Sequence, residues 1–178
     1  MRIAFSGKLG AGKSSASAIF QELAREKGID LILTPFSKPI YDLAYYVLDK
    51  IDRSDIIKPR RLLEEIGKLM NSHPKGDQLI DFHKKILNNI EHCVIEDLRR
   101  LTQVKYLQEN GFVLIRIEAG RDVRMDRRPG ESFAEGDITD TELDIDKNPK
   151  WTPNFIIYNN GTYDFLKYQC KDIFDKIK

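Results

Sequence analysis

Apolar positions along the chain change period several times, and the changes divide it into elements. Ile3-Ala4-Phe5 is a short continuous apolar run, as a buried strand makes. Behind it Ala16, Ile19, Phe20 and Leu23 recur at i, i+3, i+4 and i+7, the spacing of a helix with one buried face, and Gly28 offers a stop. Leu31-Ile32-Leu33 reads as a second strand, ended by Thr34-Pro35. Strand, helix and strand in that order are the βαβ repeat of a parallel sheet.

The alternation then breaks. Ile40, Leu43, Ala44, Val47, Leu48 and Ile51 mark one helix, and Pro59 opens another carrying Leu62, Ile66, Leu69 and Met70. Asp77 stands where a cap belongs, before a helix with Leu79, Phe82, Ile86, Leu87 and Ile90 on one face. Three helices without an intervening strand predict a helical insertion over 38–92. Strands resume at Cys93-Val94-Ile95, which ends in Glu96-Asp97-Leu98-Arg99. A helix from Thr102 to Asn110 is stopped by Asn110-Gly111, and Val113–Ile117 is the next strand. From Glu118 to Pro153 the pattern dissolves into charges, glycines and prolines, a long mobile excursion that inside a compact domain is usually functional or disordered. Phe155-Ile156-Ile157 is a last strand, Asn159-Asn160-Gly161 a turn, and Thr162 caps a final helix with Leu166, Cys170, Ile173 and Ile177 inward.

The sum is an α/β fold, a five-stranded and mostly parallel sheet with helices on both faces. It reads as one domain over 1–178, with its core in 1–37, 93–120 and 154–178. The insertion fills 38–92 and the excursion about 121–150.

Composition adds limits. With 178 residues, 41% hydrophobic and 32% charged, the chain has the make-up of a soluble globular protein. No apolar run nears the roughly 18 residues needed to span a bilayer. The first residues enter a strand at once, which leaves no room for a leader. Cys93 and Cys170 sit in apolar patterns and read as buried free thiols of a reducing compartment, so cytoplasm is the expectation (host cytoplasm for a viral chain). A net charge of +1 exerts no general pull toward nucleic-acid polymers or membranes. A homodimer is compatible with everything here.

The candidate chemistry begins at Gly7-Lys8-Leu9-Gly10-Ala11-Gly12-Lys13-Ser14, which is G-x-x-x-x-G-K-S between a strand and a helix. This is the P-loop pattern. Glycines let consecutive N–H groups face one anion, and the helix N-terminus adds its own. Gly7, Gly10, Ala11, Gly12, Lys13, Ser14 and Ser15 are the expected ATP-binding residues, with Lys13 on the β- and γ-phosphates and Ser14 on Mg²⁺. The dinucleotide pattern G-x-G-x-x-G fails, because Ser15 stands where its third glycine belongs.

In such a sheet the strands' carboxyl ends gather the ligand, so 34–37, 96–99 and 118–128 are expected to converge with the P-loop. Asp97 suits the second metal position, through water; a helix cap or an ion pair with Arg99 or Arg100 is its bland reading. Arg121, Arg124, Arg127 and Arg128 are either a lid that bridges phosphates or a solvated charge run. At helical spacing 121, 124 and 128 share a face. Arg61 and Arg99 are candidates for an acceptor phosphate, and each alone is equally a surface charge. Tyr41, Tyr45 and Tyr46 read as packing or as the border of a base pocket. Trp151 either covers an opening or anchors the excursion. The histidines form no metal or triad pattern; His83 reads as a core residue, and His73 and His92 as loop and helix-end residues.

These pieces resemble the deoxynucleoside monophosphate kinases of bacteriophages. The opening Ile3–Ser14 does so, as do Pro35-Phe36-Ser37-Lys38-Pro39-Ile40, Arg61-Leu62-Leu63-Glu64-Glu65-Ile66-Gly67, Val94-Ile95-Glu96-Asp97-Leu98-Arg99, Asp140-x-Glu142 and Ile157–Thr162. The resemblance implies transfer of the ATP γ-phosphate to a deoxynucleoside monophosphate. It also implies Lys13, Arg99, Arg124 and Arg128 in catalysis, with Phe36, Arg61, Asp97 and Arg99 at the acceptor. Glu65 replaces a family Gln, and Asn71-Ser72-His73 an Arg-containing stretch. Dephospho-CoA kinase and phosphomevalonate kinase share similar pieces. A monophosphate acceptor is already ionised at pH 7, its second pKa being ~6, and needs no general base. A hydroxyl acceptor, as in dephospho-CoA, needs one, and Asp97 is the placed carboxylate. A nucleotide-binding switch or slow ATPase is the third reading; the guanine motif Asn-Lys-x-Asp is absent.

Overall fold

The computed structural model of the chain describes residues 1–53, 55–56, 59–71, 77–128, 145 and 151–177. The expectations for His73, for Asp140 and Glu142, and for the excursion at 129–144 and 146–150 lie outside the described residues. Five strands, β1 (Arg2–Ser6), β2 (Ile32–Leu33), β3 (Cys93–Leu98), β4 (Val113–Glu118) and β5 (Phe155–Tyr158), form one sheet in the order β2-β3-β1-β4-β5. Every neighbouring pair is parallel. The helices are α1 (Lys13–Glu26), α2 (Lys38–Lys50), α3 (Arg60–Asn71), α4 (Gln78–Leu87), α5 (Leu101–Glu109), α6 (Arg121–Asp126) and α7 (Tyr163–Lys176).

The connection β1–α1–β2 travels one way across the sheet and β3–α5–β4 the other. Right-handed crossovers therefore put α1 and α5 on opposite faces, and helices cover both. On one face Ile3, Phe5, Val94, Ile115, Ile117 and Ile157 close around Ile19 and Phe20 of α1 and Leu166, Cys170 and Phe174 of α7. Alternation turns Ala4, Ile95 and Leu114 to the other face, where they are also fully buried. Burial on both faces is why these strands are continuous apolar runs. Phe20 stands edge-on to Phe5 at 5.2 Å and to Phe174 at 5.7 Å.

Local signals set the ends of the elements. The Asp77 side chain accepts a hydrogen bond from the Leu79 amide at 3.0 Å, and Thr162 accepts one from the Phe165 amide at 3.3 Å. Two expectations need correction. The strand expected at Cys93–Ile95 runs on to Leu98, so Glu96 and Asp97 lie within it. Opposite Ala4–Ser6 of β1 the register shifts, Ala4 facing Ile95 and Ser6 facing Leu98, so one extra residue of β3 bulges out there. The expected strand Leu31–Leu33 is cut to two residues, and both are exposed because β2 is an edge.

The described residues form two compact units, one of Met1–Leu33 with Glu91–Lys178 and one of Thr34–Ile90. The second is α2, α3 and α4. Its buried line is narrow: Ala44 and Leu48, Ile66, then Leu79, His83 and Leu87. Leu43, Ile51, Leu69 and Phe82, expected on buried faces, are exposed. His83 sits in this interior, its Nε2 3.3 Å from Thr34 Oγ1 and its ring 4.7 Å from that of Phe36.

Both cysteines are buried and unbridged, and burial pushes the Cys170 thiol up to about 12. At pH 8 the folded Cys170 is therefore a protonated thiol and a poor nucleophile, whereas an unfolded thiol near 8.5 is partly ionised. Iodoacetamide at pH 8 is expected to leave Cys170 unmodified in native protein and to alkylate it in guanidinium, as read by peptide mass. Phe20→Ala removes a ring wedged between two others and is expected to cost about 3–5 kcal/mol in denaturant unfolding.

Candidate active site

The connection from β1 to α1 has its shape from its glycines. Gly7, Gly10 and Gly12 hold φ of +144°, +78° and +103°, which other residues rarely adopt. Gly12 precedes the helix in the left-handed region, and α1 starts at Lys13. Ala11 is buried and donates its amide to the Lys8 carbonyl at 3.1 Å. Lys13 Nζ lies over the loop, donating to the Gly7 carbonyl at 2.6 Å and the Lys8 carbonyl at 3.1 Å. Ser14 and Ser15 stand exposed on the first turn, where helix amides have no intrahelical partner.

The strand order reverses between β1 and β3, and a crevice opens where they end, as the switch-point rule requires. Its lining is Ser6, Gly7, Lys8, Leu98, Arg99, Arg116 and Ile145. Three of these side chains are cationic, and among the described residues no carboxylate lines the crevice. Arg99 was expected here; Arg116 and Ile145 were not. Arg116 pairs in register with Ser6, so it shares that residue's face of the sheet. Its Nε donates to Glu118 Oε1 at 2.9 Å, and its guanidinium lies 5.7 Å from the centre of the Trp151 ring. Trp151 thus rests against Arg116 of β4, beside the crevice. Asp97 is half-buried in the bulge one residue before Leu98. A larger, open hollow of about 320 Å³ is lined by Lys8, Arg116–Gly120, Tyr158 and Asn160, against about 10 Å³ in the crevice.

Of the excursion arginines, Arg121 and Arg124 lie on α6, Arg127 ends it, and Arg128 follows it, so the expected shared face for 121, 124 and 128 reaches only the first two. Arg124 donates through Nε to the Ala119 carbonyl (3.2 Å) and through Nη1 to the Leu9 carbonyl (3.1 Å). Arg127 Nη2 donates to Asn159 Oδ1 at 3.3 Å, while Asn159 Nδ2 donates to the Ala11 carbonyl at 2.8 Å. Phe36 and Arg61 belong to the 34–90 unit, Phe36 buried beside His83 and Arg61 exposed on α3.

Arg116 and Asn159 were the residues the sequence reading missed. An arginine inside the apolar run Val-Leu-Ile-Arg-Ile is a signal in itself, since a largely buried charge needs a partner, here Glu118. Asn159 falls in the Ile157–Thr162 turn of the resemblance, but by itself it looks like any turn asparagine.

No protein-family model matches the chain, and no curated protein matches it by sequence. Its fold is similar to those of two solved kinases. The structure of the Mycobacterium tuberculosis APS kinase in complex with AMPPNP and APS is similar to it at TM-score 0.56 and 18% identity, covering 98% of this chain and 95% of that one. A gluconokinase from Sinorhizobium meliloti aligns at TM-score 0.51 and 12% identity, over 99% and 97% of the two chains.

A Cβ at Gly7 would lie 2.3 Å from the Ile117 carbonyl oxygen, part of a strand backbone that cannot step aside. Gly28 also has positive φ, yet a Cβ there meets nothing within 4 Å. Gly7→Ala is therefore expected to cost about 1–3 kcal/mol and to exceed the cost of Gly28→Ala, measured side by side in urea.

Proposed function

We infer that the chain is a P-loop kinase that moves the γ-phosphate of Mg-ATP onto a deoxynucleoside monophosphate. The observation that carries the acceptor is the crevice at the switch point, which Lys8, Arg99 and Arg116 line. A monophosphate is close to a dianion at pH 7, its second pKa being ~6, and its attacking oxygen needs no base. What it needs is cations to hold two anionic groups together, and guanidinium groups do this bidentately. A hydroxyl acceptor such as dephospho-CoA would instead need a general base, for which Asp97 is the candidate.

Donor binding has its own support. Glycine-shaped amides, the start of α1 and Lys13 make a cradle for polyphosphate, and the similar APS kinase holds AMPPNP. The hollow beside Gly120 and Tyr158 leaves room for the rest of the donor. Ser14 and Asp97 offer a hydroxyl and a carboxylate oxygen, the hard donors that Mg²⁺ takes together with water and phosphate, so the residues fit that ion. When bound it neutralises phosphate charge. The 38–92 insertion, with Phe36 and Arg61, would hold the acceptor, and the 121–128 segment would act as the lid within a single kinase domain, with Arg121 and Arg128 as its candidates for phosphate.

The test is ADP release from Mg-ATP with each deoxynucleoside and ribonucleoside monophosphate, dephospho-CoA, or no acceptor. One or two deoxynucleoside monophosphates are expected to stimulate turnover strongly. Stimulation by dephospho-CoA alone would move the reading to a hydroxyl acceptor, and a flat panel with slow hydrolysis would make the protein an ATPase or switch. Lys13→Ala is expected to lower stimulated turnover by roughly 100-fold or more while the melting temperature holds. Full activity in that folded variant would remove the P-loop from the mechanism.

A further inference from the structure

Leu9 and Ala11 are alternate residues of the P-loop, and a side chain from a different element holds each of their carbonyls. Arg124 of α6 donates to Leu9 O at 3.1 Å, and Asn159, just past β5, donates to Ala11 O at 2.8 Å. Asn159 is 5% exposed. Its amide stands one way round, because Oδ1 accepts from Arg127 and leaves Nδ2 toward Ala11; its own backbone amide donates to the Glu118 carbonyl at 2.7 Å.

We propose that Arg124 and Asn159 are positioning residues that set the direction of the P-loop amides. A trans peptide is planar, with its C=O opposed to the following N–H. Holding the carbonyls of Leu9 and Ala11 toward α6 and β5 turns the N–H groups of Gly10 and Gly12 the other way, toward the anion. Both side chains thus act through the loop and need not touch phosphate. The same contacts explain two of the motif's glycines. A Cβ on Gly10 would lie 2.9 Å from the Arg124 carbonyl oxygen, and one on Gly12 would lie 2.3 Å from Asn159 Nδ2. Glycine at 10 and 12 is therefore needed for the approach of these residues as well as for backbone turn. Arg127 draws the end of α6 into the arrangement through Asn159, so the first part of the excursion and the P-loop share one set of hydrogen bonds.

This inference rests on the reading of the loop as an ATP site. The test is calorimetric binding of Mg-ATP to the full chain, with the guanidinium midpoint of each variant and KM for ATP and for the acceptor. Asn159→Asp keeps the shape and the Arg127 partner but sets an oxygen against Ala11 O. It is expected to weaken Mg-ATP binding at least tenfold and to raise KM for ATP, with the acceptor KM unchanged. Arg124→Met is expected to act in the same direction. Asn159→Ser serves if the aspartate variant does not fold. Variants that lose midpoint but bind Mg-ATP within twofold of wild type would overturn the proposal, since that is what a merely structural role gives. Wild type that fails to bind Mg-ATP would instead overturn the ATP site itself.

Discussion

Three glycines with φ of +144°, +78° and +103° bend six residues into the turn between β1 and α1, and the rest of the unit is built close against them. The Ile117 carbonyl, the Arg124 backbone and the Asn159 amide each come nearer than a Cβ would allow. The turn is thus held in place as well as permitted. Parallel β1 and β4, buried on both faces, bring Ser6 and Arg116 side by side. The reversal of strand order beside β1 then opens the only kind of place in such a sheet where a ligand meets several strand ends. Loop shape, sheet order and crevice follow from one constraint.

Charge follows from the same placement. Lys8, Arg99 and Arg116 reach the crevice from the loop, from the residue after β3 and from β4. Gathering like charges is unfavourable unless an anion joins them. Glu118 pairs with Arg116, and the Trp151 ring accepts the same guanidinium on its face.

Much of this was legible in the residues because it is local. The i, i+3, i+4 spacing of Ile19, Phe20 and Leu23, the caps at Asp77 and Thr162, and the glycine pattern of the P-loop act within a few residues of themselves. What escaped depends on neighbours distant in sequence. Glu96 and Asp97 look like the end of a strand, and only pairing with β1 across the bulge keeps them in it. Arg116 reaches the crevice because β4 lies beside β1, an order that no periodicity states. Leu69 and Phe82 keep helical spacing yet stay exposed, since spacing marks a face and not how wide a strip is covered.

The central claim is that phosphate passes from ATP to a phosphate on a second nucleotide. Turnover from γ-labelled ATP with the best deoxynucleoside monophosphate, its products separated by ion exchange, tests it most directly. The account predicts label in the β-phosphate of a deoxynucleoside diphosphate, in step with ADP. Label found only in inorganic phosphate, or on a sugar hydroxyl, would contradict it.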